Sequence, residues 1–213
     1  MERRPLKTRT RGSARAVAGW LSRSGVRPNH VSGLGVVFAV VAGAVFVALP
    51  HAGGPLQAVL LVAAAVSIQL RLLCNMLDGL LAVEGGLASP LGDLYNEVPD
   101  RVADVVIIAC AGYAVAWSWG EPLGWAAATA AVLTAYVRVL GGALGTHQHF
   151  VGPMAKPHRM AVLTAACLLS LGELAGGDFR GGFLAAALVL ILAGSLFTAG
   201  RRLRLVAREL ATR

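Results

Sequence analysis

Along most of this chain the apolar positions form long unbroken runs, not alternating strands. Segments at about 31–49, 55–82, 92–118, 122–144, 158–175 and 181–200 are dominated by Leu, Ala, Val and Gly. Each is long enough to cross a hydrocarbon core of about 30 Å at about 1.5 Å per helical residue. Only helices and closed barrels satisfy their backbone in lipid, and nothing here alternates with a period of two. The pattern predicts an all-α integral membrane protein with six transmembrane helices. Ahead of them, "SARAVAGWLSRS" (13–24) predicts a short interfacial amphipathic helix. Ala14, Val17, Ala18 and Leu21 share one face of it, with Arg15, Ser22 and Arg23 elsewhere. Gly25 and Pro28 then break the chain.

Composition agrees with the pattern. Of 213 residues, 56% are hydrophobic and 14% charged, against roughly 25% charged in a soluble domain. The net charge is +8, and its placement matters more than its size. Lys and Arg concentrate in residues 1–29, in "GTHQHFVGPMAKPHR" and in the tail "RRLRLVARELATR". The other connections, "PHAGGP", "WGEP" and "GGDFR", contain one Arg among them. The asymmetry predicts both termini in the cytoplasm and a cell inner-membrane location, and it explains the basic charge without nucleic acid. Three parts are expected: a basic N-terminus with the amphipathic helix (1–30), a six-helix membrane domain (31–202) and a basic cytosolic tail (203–213). The start "MERRPLKTRTRGSARAV" is too polar for a cleaved signal peptide. Cys74, Cys110 and Cys167 lie in apolar runs and read as small buried hydrophobes.

One stretch departs from the pattern. "CNMLDGLLAVEGGLASPLGDLYNEVPD" (74–100) puts Asp78, Glu84, Asp93, Glu97 and Asp100 into otherwise apolar sequence. Asn75 and Asp78 share a helix face; so do Asn96 and Asp100. Asp93, Glu97, Asp100 and Asp104 follow steps of four, three and four, which makes one stripe. The two helices flanking the hairpin 83–91 are expected to be neighbours whose stripes converge at the cytosolic surface. Ionisable groups inside a bundle mark function by default. Oxygen ligands without His or Cys favour hard cations such as Mg²⁺, Mn²⁺ or Ca²⁺. The competing structural reading pairs these acids with Arg71, Arg101 and Arg138. Gly79, Gly85, Gly86 and Gly92 are costly in helices and make sense where a bulky group approaches the backbone.

This stretch resembles the signature of the CDP-alcohol phosphatidyltransferase family: Asp, two residues, Asp-Gly, two residues, Ala-Arg, eight residues, Gly, three residues, Asp, three residues, Asp. At the same spacing the chain has Asn75, Asp78-Gly79, Ala82-Val83, Gly92, Asn96 and Asp100. Two aspartates are replaced by Asn75 and Asn96, and the arginine by Val83. "SGVRPNHVSGLGVVFA" resembles the family's entry into its first span. "YVRVLGGALG" with "VGPMAKPHRM" is similar to the acceptor-phosphate region of its phosphatidylinositol-phosphate synthase branch.

The resemblance implies transfer of a phosphatidyl group from CDP-diacylglycerol or a related CDP-lipid to an acceptor hydroxyl, with release of CMP. It implies a homodimer in which Asp100 is the candidate base and Asn75, Asp78, Asn96 and Asp100 hold divalent cations, Mg²⁺ or Mn²⁺. Asp78, Gly79, Ala82 and Gly92 would meet the nucleotide. Arg138, Lys156 and Arg159 would meet the phosphate of a phosphorylated polyol. With two amides, the four signature positions carry two negative charges instead of four. Either one metal binds, or charge comes from elsewhere. Glu97, about 60° from Asp100 around the helix, and Asp93, about 20° from it, are the nearest sources. Arg71 or Lys156 would stand in for the arginine lost at Val83. Pro99 frees a backbone carbonyl near Tyr95. His147 and His149 read as a solvated loop, and His158 lies beside the basic residues of the acceptor region. Two alternatives stay open: a degenerate homologue that binds CDP-lipid or metal without turnover, and a small transporter with an acidic site.

Overall fold

The computed structural model describes Gly19, residues 27–84 and residues 92–212; of residues 83, 84, 92, 93, 95 and 96 it describes the backbone only. The amphipathic segment 13–24, apart from Gly19, and the hairpin glycines Gly85 and Gly86 lie outside the described residues. Six long helices make up what is described: α1 (Pro28–Ala48), α2 (Pro55–Glu84), α3 (Gly92–Tyr113), α4 (Gly120–Ala143), α5 (Lys156–Ala175) and α6 (Gly182–Ala211). There is no strand among the described residues. Proline starts α1 and lies at the second position of α5, where a missing N–H costs nothing.

Five stretches are long and apolar enough to cross a membrane: Pro28–His51, Pro55–Ala82, Gly120–Ala143, Lys156–Ala175 and Gly182–Ala211. The sixth expected span, α3, falls short by composition. Asp93, Glu97, Asp100, Arg101 and Asp104 all lie in its first thirteen residues. Two boundaries also differ from expectation. The α3 helix ends at Tyr113 because the chain turns there, with Ala116 N–H donating to the Arg180 carbonyl of a neighbouring loop. The α6 helix continues to Ala211 through the residues expected as a tail. Arg202 and Val206 are buried on its inner face while Arg201, Arg204 and Arg208 stay exposed.

The helices close into a ring in the order α1, α2, α5, α6, α4, α3 and back to α1. Contrary to the sequence expectation, α2 and α3 touch over little of their length, and α1 packs against both. Small residues make this possible. A Cβ on Gly35 would lie 3.3 Å from Cys74 Cβ on α2, and one on Gly43 would lie 2.8 Å from Val106 Cγ1 on α3. The α1 backbone therefore wedges between the two helices. The ring interior holds Phe46, Leu61, Ile68, Ile107, Met160, Leu163, Leu184 and Ile191, all fully buried. Its outer face exposes Val37, Val59, Leu169, Leu190 and Phe197. An apolar exterior around an apolar core suits lipid, not water. The cysteines are free, with Cys74 and Cys167 buried and Cys110 partly so.

Candidate active site

Helix periodicity assembles the polar groups at one end of the ring. Arg71, Asn75 and Asp78 follow at steps of four and three on α2, and Asp100 and Asp104 one turn apart on α3. Lys156 and Arg159 lie in the first turn of α5, Thr134 and Arg138 on α4, and Ser32 in the second turn of α1. Ser32, Gly35, Val36, Arg71, Asn75, Asp78, Pro99, Asp100 and Ala103 line one cleft. The two helices that barely pack are thus joined through side chains.

Asp100 is the hub. Its Oδ1 accepts from the Asn75 amide at 2.9 Å and from Arg71 at 3.3 Å, and its Oδ2 is bonded by the Lys156 ammonium. Arg101 lies 3.8 Å from the same oxygen. The Asn75 carbonyl oxygen, in turn, accepts from Lys156 at 2.6 Å. Asn75 therefore donates to a carboxylate and accepts from an ammonium, which an ionised aspartate in its place could not do.

Below the hub, Asp104 is 1% exposed and divides its two oxygens between Arg71 at 3.0 Å and Arg159 at 2.7 Å. Arg159, itself 1% exposed, also donates to the Met154 carbonyl at 2.9 Å and to the Thr134 hydroxyl at 3.3 Å. Arg202 donates to the Val151 and Thr134 carbonyls, which ties the 144–155 connection to α6 and α4. The network joins four helices, and it leaves Arg71 Nη1 and Arg159 Nε buried without a hydrogen-bond partner, so its desolvation is only partly offset.

Asp78, 5% exposed, accepts from the Ser32 hydroxyl at 2.7 Å through Oδ2. Its Oδ1 is buried without a hydrogen-bond partner. An unsatisfied buried carboxylate oxygen facing a cleft calls for a ligand or cation.

Of the residues expected at a metal site, the structure brings Asn75, Asp78 and Asp100 to one cleft. The side chains of Asn96 and Asp93 lie outside the described residues. Glu97 does not line the cleft; Arg138 binds it at 2.6 Å and Arg101 lies 3.6 Å away. Among the described residues no three His, Cys, Asp or Glu side chains gather as a metal site. Gly79 is buried and Ala82 partly buried, while for Gly92 only the backbone is described. Arg138 remains partly exposed, with its guanidinium 5.4 Å above the Phe150 ring. Arg159, expected at an acceptor phosphate, is enclosed by Asp104, Thr134 and Met154. His147 and His149 approach Glu209 of α6 at 3.1 and 3.3 Å. The aspartate signature does not contain Ser32, Arg71 or Asp104. Arg71 was legible as the residue one turn before Asn75 on the same face. Ser32 lies in the first-span entry that resembles the family, but nothing there singled out its hydroxyl.

No protein-family model matches the sequence, and comparison with curated proteins gives no match. Solved structures do match. Phosphatidylinositol phosphate synthase of Mycobacterium tuberculosis with CDP-DAG bound is 22% identical, with a TM-score of 0.70 over 91% of this chain and 92% of that one. The same enzyme in complex with manganese and citrate is 22% identical, with a TM-score of 0.71 over 91% and 88%. Its apo form is 20% identical, with a TM-score of 0.69 over 89% and 93%. Almost the whole of each chain is matched, so this protein shares the fold of that synthase.

Proposed function

We propose that this chain is a membrane phosphatidyltransferase of the CDP-alcohol phosphatidyltransferase family. It moves a phosphatidyl group from a CDP-lipid to an acceptor hydroxyl and releases CMP. The observation that carries the reading is the pair Asp78 and Asp100 on α2 and α3. They face one cleft at the signature spacing, in a fold shared with a synthase whose structure holds CDP-DAG.

The orphaned, buried Asp78 Oδ1 fits a hard cation, and Ser32, Asn75 and Asp100 are the oxygen-bearing side chains that line the cleft with it. A divalent cation, Mg²⁺ or Mn²⁺, held there would neutralise pyrophosphate charge; the synthase of shared fold has been seen with manganese. The chain's own residues do the rest. Arg71, Arg101 and Lys156 set a positive field around Asp100, where an anionic pyrophosphate would lie. The acceptor oxygen bonds to the lipid-side phosphorus, the bond from that phosphorus to the bridging oxygen breaks, and CMP leaves with that oxygen and its electron pair. Asp100, held in one orientation by Arg71 and Asn75, takes the hydroxyl proton. Gly79, next to Asp78, would meet the nucleotide, as the family resemblance implies. Arg138, one turn from the hub through Glu97 and still partly exposed, would meet the phosphate of a phosphorylated polyol. The same reading makes all six helices membrane spans, puts the site and both termini in the cytoplasm, and has the chain act as a homodimer.

The test is direct. Purified protein receives radiolabelled CDP-diacylglycerol and a panel of free and phosphorylated polyols with Mg²⁺ or Mn²⁺, and CMP release is followed. Release that depends on one acceptor is expected. No release with any acceptor, while CDP-lipid still binds, would mark a binding protein instead.

A further inference from the structure

Asn75 and Lys156 form one unit at the hub. Lys156 Nζ lies between Asn75 Oδ1 and Asp100 Oδ2. Its ammonium is mostly buried, with the side chain 16% exposed. It starts α5, where the helix dipole disfavours a positive charge, so the oxygens of α2 and α3 must hold it there. Asn75 completes the arrangement by donating to the other oxygen of Asp100. An aspartate at 75 would set two carboxylates face to face across a single ammonium. Arg71 and Arg101 also bond or approach Asp100, so the hub carries positive charge on either side of its one carboxylate.

We propose that the Lys156 ammonium is a built-in cation at the Asn75–Asp100 half of the site, and that this chain takes a single divalent cation, at Asp78. The proposal rests on the transferase reading for its biological setting but not for its test. It explains why the amides occur together with this lysine: fewer negative charges are needed where one cation is part of the chain.

The experiment titrates full-length protein in detergent with Mn²⁺ and counts bound ions by loss of the free-ion electron paramagnetic resonance signal. The parent and Lys156→Arg are expected to bind one Mn²⁺ per chain. Lys156→Gln is expected to bind Mn²⁺ about tenfold more tightly, the size of effect one neighbouring charge has at this range. The triple variant Lys156→Gln, Asn75→Asp, Asn96→Asp is expected to bind two. Two ions or none in the parent overturns the proposal, as does unchanged Mn²⁺ affinity in a monodisperse Lys156→Gln protein. If a variant does not fold, the parent's count alone decides. CMP release in the same preparations is scored separately. Release with two ions per chain removes the ammonium's role and leaves the transferase. One ion per chain with no release from any acceptor removes the transferase and leaves the ion count.

Discussion

The two ends of the helix ring are held by opposite means. At the site end, helices meet through charge: Arg71 and Arg159 share Asp104, and Arg71, Asn75 and Lys156 converge on Asp100. At the other end they meet backbone to backbone. A Cβ on Gly112 would lie 2.5 Å from the Gly120 carbonyl oxygen and 3.0 Å from Gly124 Cα. Gly181, at φ 72°, turns the chain so tightly that a Cβ would lie 2.4 Å from the Ala114 carbonyl oxygen. The polar contacts there are few and local. The Glu173 carboxylate accepts from the Arg180 and Gly182 N–H groups at the start of α6. Trp125 donates to Tyr113, which donates to Glu121, and Trp117 stacks on Trp119 at 5.3 Å, as aromatics do at a membrane interface. Close backbone packing holds helices together without desolvating a charge; a buried charge network desolvates many. On the transferase reading proposed above, the expensive solution stands where a charged ligand would enter.

Breaking the charged end should have the largest effect. Asp100→Asn is expected to lower CMP release by about 10²–10⁴-fold while CDP-lipid binding persists; equal loss of binding would make Asp100 a structural residue. Asp104→Ala leaves two buried guanidinium groups without their shared partner. It is expected to cost about 3–5 kcal/mol of stability, read as a lowered thermal midpoint in detergent. Gly112→Leu attacks the other end. Overpacking there is expected to cost about 1–3 kcal/mol yet leave Mn²⁺ affinity unchanged; a change in affinity would show that the ends are not independent. Glu97→Gln is the mildest. It releases partly exposed Arg138, with a stability effect of at most about 1 kcal/mol. The acceptor KM is expected to shift while Mn²⁺ affinity stays constant. A loss of Mn²⁺ binding would instead make Glu97 a contributor to the metal site.

Much of this was legible beforehand. The apolar runs located all six helices to within a few residues at most of their ends. Asn75, Asp78 and Asp100 were singled out by spacing, and they do line one cleft. The reading that set the acids against Arg71, Arg101 and Arg138 is met for Asp104, Asp100 and Glu97, which those arginines approach, but not for Asp78, whose partner is Ser32. On the transferase reading proposed above, a site for an anionic substrate would need carboxylates and cations side by side. Less legible was the separation of α2 and α3. A short hairpin implies adjacency, but glycines in α1 allow a third helix between them.

From sequence alone come the elements and their faces. Helical period and hydropathy act over a few residues, and the positions of Arg71, Asn75 and Asp78 on one stripe follow from a rise and a turn per residue. Partner choice was decided only in three dimensions. Lys156 lies 81 residues from Asn75, and nothing local says that its ammonium closes on that amide or that Arg159 goes to Asp104. Those pairings follow from the order in which six helices close their ring, because in a low-dielectric interior each charge must find whichever opposite charge that packing brings within reach.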